Sequence, residues 1–240
     1  MLAPKGVEVF AVRVDSAPRA LLDEYVTWLA PEERVKHGKM ATERLRDEYV
    51  VTRALSRWVL SRYEPQVTPA EWRFERTEAG RPFVVGPRPA PTFSLSNGGG
   101  LVVCAASRHP VGVDVEPLSR GTDLLVTAPR LFSSDENAAL AELPKEERAR
   151  RAVELWTTKE AYLKARGEGI SVRLSRFSIA AVDRRAYRLG EVSVLADDPR
   201  DWQLEVRELP GEAEACFIAV AVRRGRASDV PVELDTVVPA

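Results

Sequence analysis

The chain has 240 residues, 45% of them hydrophobic and 30% charged, and a formal net charge of -1. That length holds one large domain or two smaller ones with cores of their own, and the near-zero charge excludes a nucleic-acid partner recognised through overall basicity. Cys104 and Cys216 lie far apart in apolar runs, and neither a signal peptide nor an apolar run of about 18 residues is found, so a cytoplasmic protein with buried thiols and no membrane partner is expected.

A strand is expected over Val7–Val14, then a helix after Ser16-Ala17-Pro18 with Leu21, Leu22, Tyr25, Val26 and Leu29 on its apolar side. A longer helix follows from Thr42 to Tyr63, with Leu45, Tyr49, Leu55, Trp58 and Val59 at helical spacing. From Arg34 to Arg62 basic residues (Arg44, Arg53 and Arg57 among them) outnumber the acids Glu43, Asp47 and Glu48, which offers either a basic face or a solvated surface with internal pairs. Short strands are expected at Trp72–Glu75, Pro82–Val85, Thr92–Ser96 and Leu101–Ala106, joined by turns at Gly80-Arg81-Pro82 and Asn97-Gly98-Gly99-Gly100.

The second half repeats that order. A strand at Val111–Glu116 precedes helical pieces from Asp123 to Leu143 and a helix from Lys145 to Arg166, where Gly167 is a C-cap. Strands near Phe177–Val182, Tyr187–Leu195, Trp202–Leu209 and Ala215–Val222 follow. Ser133 with Glu136 three residues on is a capping-box pattern. Strand, helices and meander, twice over, predict an α+β fold of two similar halves about a pseudo-twofold axis, each with helices packed on a small, mainly antiparallel sheet. The halves are drawn at 1–110 and 111–226, and 227–240 reads as a polar, acidic tail.

Two stretches carry chemistry. In VGVDVEP, residues 111–117, Asp114 and Glu116 sit two apart on a strand and so share a face. In WTTKEAYLK, residues 156–164, Trp156, Glu160 and Lys164 share one helical face with Lys159 on its flank. Glu160 and Lys164 make an ordinary surface pair, and two acids at a strand end are commonly solvated or paired to arginines. Taken together, three carboxylates form an oxygen-rich set suited to Mg²⁺, too sparse for a closed structural site and open to a phosphate-bearing substrate. His37 and His109 have no Cys or His partner at ligand spacing, which argues against zinc.

Gly112-Val113-Asp114-Val115-Glu116 followed by Trp156-Thr157-Thr158-Lys159-Glu160-Ala161-Tyr162-Leu163-Lys164 resembles the bipartite signature of the 4′-phosphopantetheinyl transferases, and the length resembles their two-domain Sfp type. Gly80-Arg81-Pro82-Phe83, Phe93-Ser94-Leu95-Ser96, Arg130-Leu131-Phe132-Ser133 with Glu136, and Gly167-Glu168-Gly169-Ile170 extend the likeness, while the first third aligns loosely. The resemblance implies a monomeric enzyme, a pseudo-dimer of its halves, that moves phosphopantetheine from coenzyme A to a serine of an apo acyl or peptidyl carrier protein.

It further implies that Asp114, Glu116 and Glu160 hold Mg²⁺ or Mn²⁺, that Glu160 takes the serine proton, and that Lys164 meets the departing 3′,5′-ADP. Lys159 would contact phosphate. Arg81, Ser96 and a basic residue of the long first helix, Arg44 and then Arg53, would recognise the adenosine 3′-phosphate. Where the family usually has Ser-His this chain has Ser96-Asn97: Asn97 is an uncharged donor to phosphate or the opening residue of an Asn-Gly turn. Two alternatives stand beside this: another Mg²⁺-dependent phosphate-transfer enzyme, though no G-x-x-x-x-G-K-[ST] loop is present, and a non-catalytic paralogue that binds coenzyme A or a carrier.

Overall fold

A short apolar run, Val9 to Val12, buried on both faces, draws Val7–Arg13 into the first strand, β1. Helices α1 (Arg19–Trp28), α2 (Pro31–Gly38) and α3 (Glu43–Tyr63) follow, then strands β2 (Arg73–Arg76), β3 (Pro82–Gly86), β4 (Thr92–Gly98) and β5 (Leu101–Ser107). The next strand is β6 (Val111–Pro117), succeeded by α4 (Arg120–Leu131), α5 (Ser134–Glu142) and α6 (Lys145–Arg166). Strands β7 (Ile179–Ala181), β8 (Ala186–Leu189), β9 (Trp202–Leu209), β10 (Cys216–Arg223) and β11 (Val232–Thr236) complete the order. This computed structural model describes residues 6–78, 80, 82–86, 90–167, 172–190, 197–212 and 214–239.

The chain divides into two units, 1–108 with 231–240, and 109–230. In the first, the main sheet has the order β11-β1-β5-β4, and β2 pairs with β3 apart from it. In the second, all five strands run antiparallel in the order β6-β10-β9-β8-β7. Each unit uses one scheme: its opening strand pairs antiparallel with the last strand of its own meander, β1 with β5 and β6 with β10. A long helix covers each sheet: Val51, Leu55, Val59 and Leu60 of α3 share a core with Phe10, Val12 and Val102, while Ala161, Tyr162 and Ala165 of α6 pack with Phe217, Ala219 and Ala221.

Two departures from the sequence pattern have physical reasons. The segment 227–240, expected as a polar tail, contains β11, which runs parallel to β1 with Val7 opposite Val232 and Val9 opposite Leu234. Val237 N–H also donates to Ala11 O at 2.8 Å, and the Tyr25 hydroxyl donates to Pro239 O. The acids Glu233 and Asp235 alternate with the apolar residues and can face water from an edge strand, so acidity does not exclude pairing. Helix α2 carries a single large apolar residue, Val35, which is exposed; only Pro31 at its start, Glu32 and Glu33 in the first turn and Lys36 and His37 in the last mark it as a helix.

The turn between β4 and β5 is also shorter than expected, because β4 runs two residues further, to Gly98. Gly99 and Gly100 take positive φ, 58° and 74°, and Asn97 is paired with Val102 inside the ladder. Asn97 is therefore a strand residue, and the two glycines make the turn.

Candidate active site

Strand β6 presents alternate residues to opposite sides, which puts Gly112, Asp114 and Glu116 on the face that α6 covers. Gly112 makes the contact close: a Cβ there would lie 2.0 Å from Ala161 O and 2.4 Å from Ala165 N. Ala219 and Ala221, cross-strand from Asp114 and Gly112, keep the neighbouring surface equally low. The helix consequently lies almost on the strand backbone, and the side chains of Lys164, within the contact, and Trp156, before it, meet β6 side chains.

Lys164 Nζ lies 2.7 Å from Asp114 Oδ1 and donates to Val113 O at 3.1 Å. Two turns earlier, Trp156 Nε1–H donates to Glu116 Oε1 at 3.1 Å. Arg120, at the start of α4, brings Nε to 3.6 Å from Glu116 Oε2. These partners offset the cost of two carboxylates on a covered strand face. Glu160 sits between Trp156 and Lys164 on the same stripe.

Burial pushes the Glu160 carboxyl up to about 6, with Asp114 and Glu116 adding to the rise and Lys164 opposing it. Glu116 is raised too, by burial and then by Asp114, against the pull of Trp156, Arg120 and Lys164. Mutual repulsion among three acids is the signature of a site short of positive charge. Among the described residues no three acidic, histidine or cysteine side chains are drawn into a ready metal cage. The donor set, all carboxylate oxygens, nonetheless fits a hard divalent cation such as Mg²⁺.

Residues 110–220, which contain both stretches, match the family model described as the 4′-phosphopantetheinyl transferase superfamily. The chain is 33% identical over 239 residues to a phosphopantetheinyl transferase of Thraustochytrium, covering 91% of this chain and 79% of that protein. It is 33% identical to a 4′-phosphopantetheinyl transferase of Bacillus pumilus, covering 72% and 74% of the two chains, and 29% identical to Sfp of Bacillus subtilis over 82% and 78%. The chain belongs to the 4′-phosphopantetheinyl transferase family. It is an enzyme of that class.

One candidate of the transferase is corrected by its surroundings. Lys159 does not face a phosphate site: it is 0% exposed, and its three N–H groups go to Glu136 Oε2 at 2.7 Å, Leu174 O at 2.7 Å and Phe177 O at 2.6 Å. A lysine has no fourth donor to offer.

The transferase's N-terminal candidates belong to the first unit. Arg44 is exposed on α3. Arg53 lies over the Tyr49 ring and 3.5 Å from Glu33 Oε1. Ser96 is half-buried on β4, and the Asn97 amide donates to Glu48 on α3. Arg81 lies outside the described residues. The basic run that contains Arg44 and Arg53 is partly internal, since Arg57 is fully buried with its Nη2 2.6 Å from Glu33 Oε2.

Sequence reasoning missed Arg120 as a partner of Glu116. The only signal was the four-residue spacing, which is meaningful on a helix but here crosses from a strand into the first turn of α4.

Proposed function

We propose that this transferase moves the 4′-phosphopantetheine group of coenzyme A to a serine of an apo acyl or peptidyl carrier protein and releases 3′,5′-ADP. The observation that carries the proposal is the crossing of β6 and α6, where Asp114, Glu116, Glu160 and Lys164 face one another at close range. Asp114, Glu116 and Glu160 would hold Mg²⁺, or Mn²⁺, which when bound supplies charge neutralisation to the pyrophosphate oxygens.

The serine oxygen attacks the β-phosphorus, and the bond from that phosphorus to the oxygen of the leaving 3′,5′-ADP breaks. Glu160, on the α6 face that meets β6, takes the serine proton. The Lys164 ammonium, 2.7 Å from Asp114 and able to swing along β6 from a partly exposed position, meets the negative charge that develops on the leaving group. Arg44, Arg53, Arg81, Ser96 and Asn97 are the proposed contacts to the adenosine phosphates. The enzyme is proposed to act as a cytoplasmic monomer on carriers of polyketide or non-ribosomal peptide assembly.

Incubation with Mg²⁺, coenzyme A and a panel of apo carrier proteins, followed by mass spectrometry, tests this. A carrier heavier by one phosphopantetheine, with 3′,5′-ADP released in equal amount, is the expected result. No mass gain on any carrier would overturn it.

A further inference from the structure

Lys159 and Glu136 form an ion pair that the transfer chemistry above does not use. Both side chains are buried, at 0% and 3% exposed. Lys159 Nζ spends its three donors on Glu136, Leu174 O and Phe177 O, and lies 4.4 Å from the centroid of the Phe177 ring. Glu136 is as fully engaged: its Oε2 also accepts from Ser133 N at 2.7 Å, and its Oε1 accepts from Ile179 N at 2.7 Å. Burial pulls the Lys159 ammonium down, and the Glu136 carboxylate pulls it back up.

Such a pair is a poor way to gain stability. Desolvating both ions offsets most of their attraction, and well-packed apolar side chains of similar size commonly do as well or better. What it supplies instead is direction. Three charge-assisted hydrogen bonds from Lys159 tie α6 to Glu136 in the first turn of α5 and to the backbone at Leu174 and Phe177, and two more, from Ser133 N and Ile179 N, hold Glu136 in place, whereas apolar contacts let a helix slide or roll. Lys159 directly precedes Glu160, and successive helical residues point about 100° apart, from 3.6 residues per turn. Fixing Lys159 on one side of α6 therefore sets where Glu160 and Lys164 point on another.

We propose that Lys159 and Glu136 are positioning residues for the transfer reaction: their buried pair sets the rotation of α6 that aims Glu160 and Lys164 at Asp114 and Glu116. This rests on the function proposed above.

The test compares wild type, Glu136→Gln and Lys159→Met/Glu136→Gln for turnover with coenzyme A and an apo carrier, alongside thermal melts. The double variant leaves no unpaired charge, although Leu174 O and Phe177 O lose their donor, so a moderately lowered melting temperature with a cooperative melt is expected. In both variants kcat falls roughly ten-fold or more while KM for coenzyme A stays within about two-fold, the split expected of lost alignment. Wild-type kcat in a folded variant would make the pair a stabilising device only. A raised KM at unchanged kcat would put Lys159 against substrate. If the double variant does not fold, Glu136→Gln, which keeps the ammonium and an oxygen for the cap, decides by the same split. Absence of turnover by the wild-type protein would overturn the transferase reading itself, and this inference with it.

Discussion

Lys164 Nζ and Asp114 Oδ1 stand 2.7 Å apart, joining the last turns of α6 to the middle of β6. The lysine side chain is 31% exposed but that of Asp114 only 9%, so the ammonium reaches the surface while the carboxylate it offsets lies in a covered position. Lys164→Ala should therefore lower the melting temperature of cation-free protein, by leaving Asp114 without its cation, and lower kcat by roughly 10–100-fold with KM for coenzyme A little changed. Steady-state kinetics beside a melting curve check this. A rise in KM alone would move Lys164 from the leaving group to the binding shell.

Glu160 gives a stability prediction with a definite sign. Its folded-state value, about 6, is above the ordinary 4.5, so the folded protein binds the extra proton between those values and loses stability as pH rises through them. In protein stripped of divalent cations, Glu160→Gln should be more stable than wild type above pH 6, by on the order of 1 kcal/mol. The advantage should vanish below pH 4.5, where both proteins carry a neutral group. Melts across that range, with turnover lost in the same variant, would agree; a pH-independent difference would remove the carboxyl from this crowded site.

Gly112 tests the close crossing. An added Cβ meets backbone atoms of Ala161 and Ala165 at 2.0 and 2.4 Å, which no rotamer change relieves. Gly112→Ala should cost about 1–3 kcal/mol of stability and reduce turnover more than any other single methyl group on β6, because α6 carries Glu160 and Lys164 away with it. A denaturant melt with unchanged midpoint would show that the helix is free to retreat.

Asn97 donates to Glu48 from within a strand, so its loss should register in stability. Asn97→Ala should lower the melting temperature by the loss of one net hydrogen bond and weaken coenzyme A by no more than about 0.5–1.5 kcal/mol, since no charge is removed. Isothermal titration at two pH values should also find no titration from this position. A loss of two decades in affinity would make Asn97 a primary phosphate ligand.

What the amino-acid sequence determined by itself is whatever depends on near neighbours. The period of 3.6 from Lys145 to Arg166, ended by Gly167 in the left-handed region at φ 79°, makes α6 legible to the residue. The period of 2 at VGVDVEP does the same for β6, and it places Asp114 with Glu116. Two lysines on one helix show where this stops. Lys159 and Lys164 look alike in a string of letters, yet one is sealed against Glu136 of α5 and the other reaches Asp114 of β6. Which face of α6 turns inward is decided by what α5, β6 and β10 offer it, and those surfaces are assembled from distant parts of the chain. The same holds for β11, whose acids read as a tail until β1 supplies an edge to pair with, and for Asn97, whose partner lies on α3. Periodicity records that a side chain has a covered face; only packing between elements far apart in sequence selects the atoms that cover it, because the free energy of burying a charge depends on partners that local sequence does not contain.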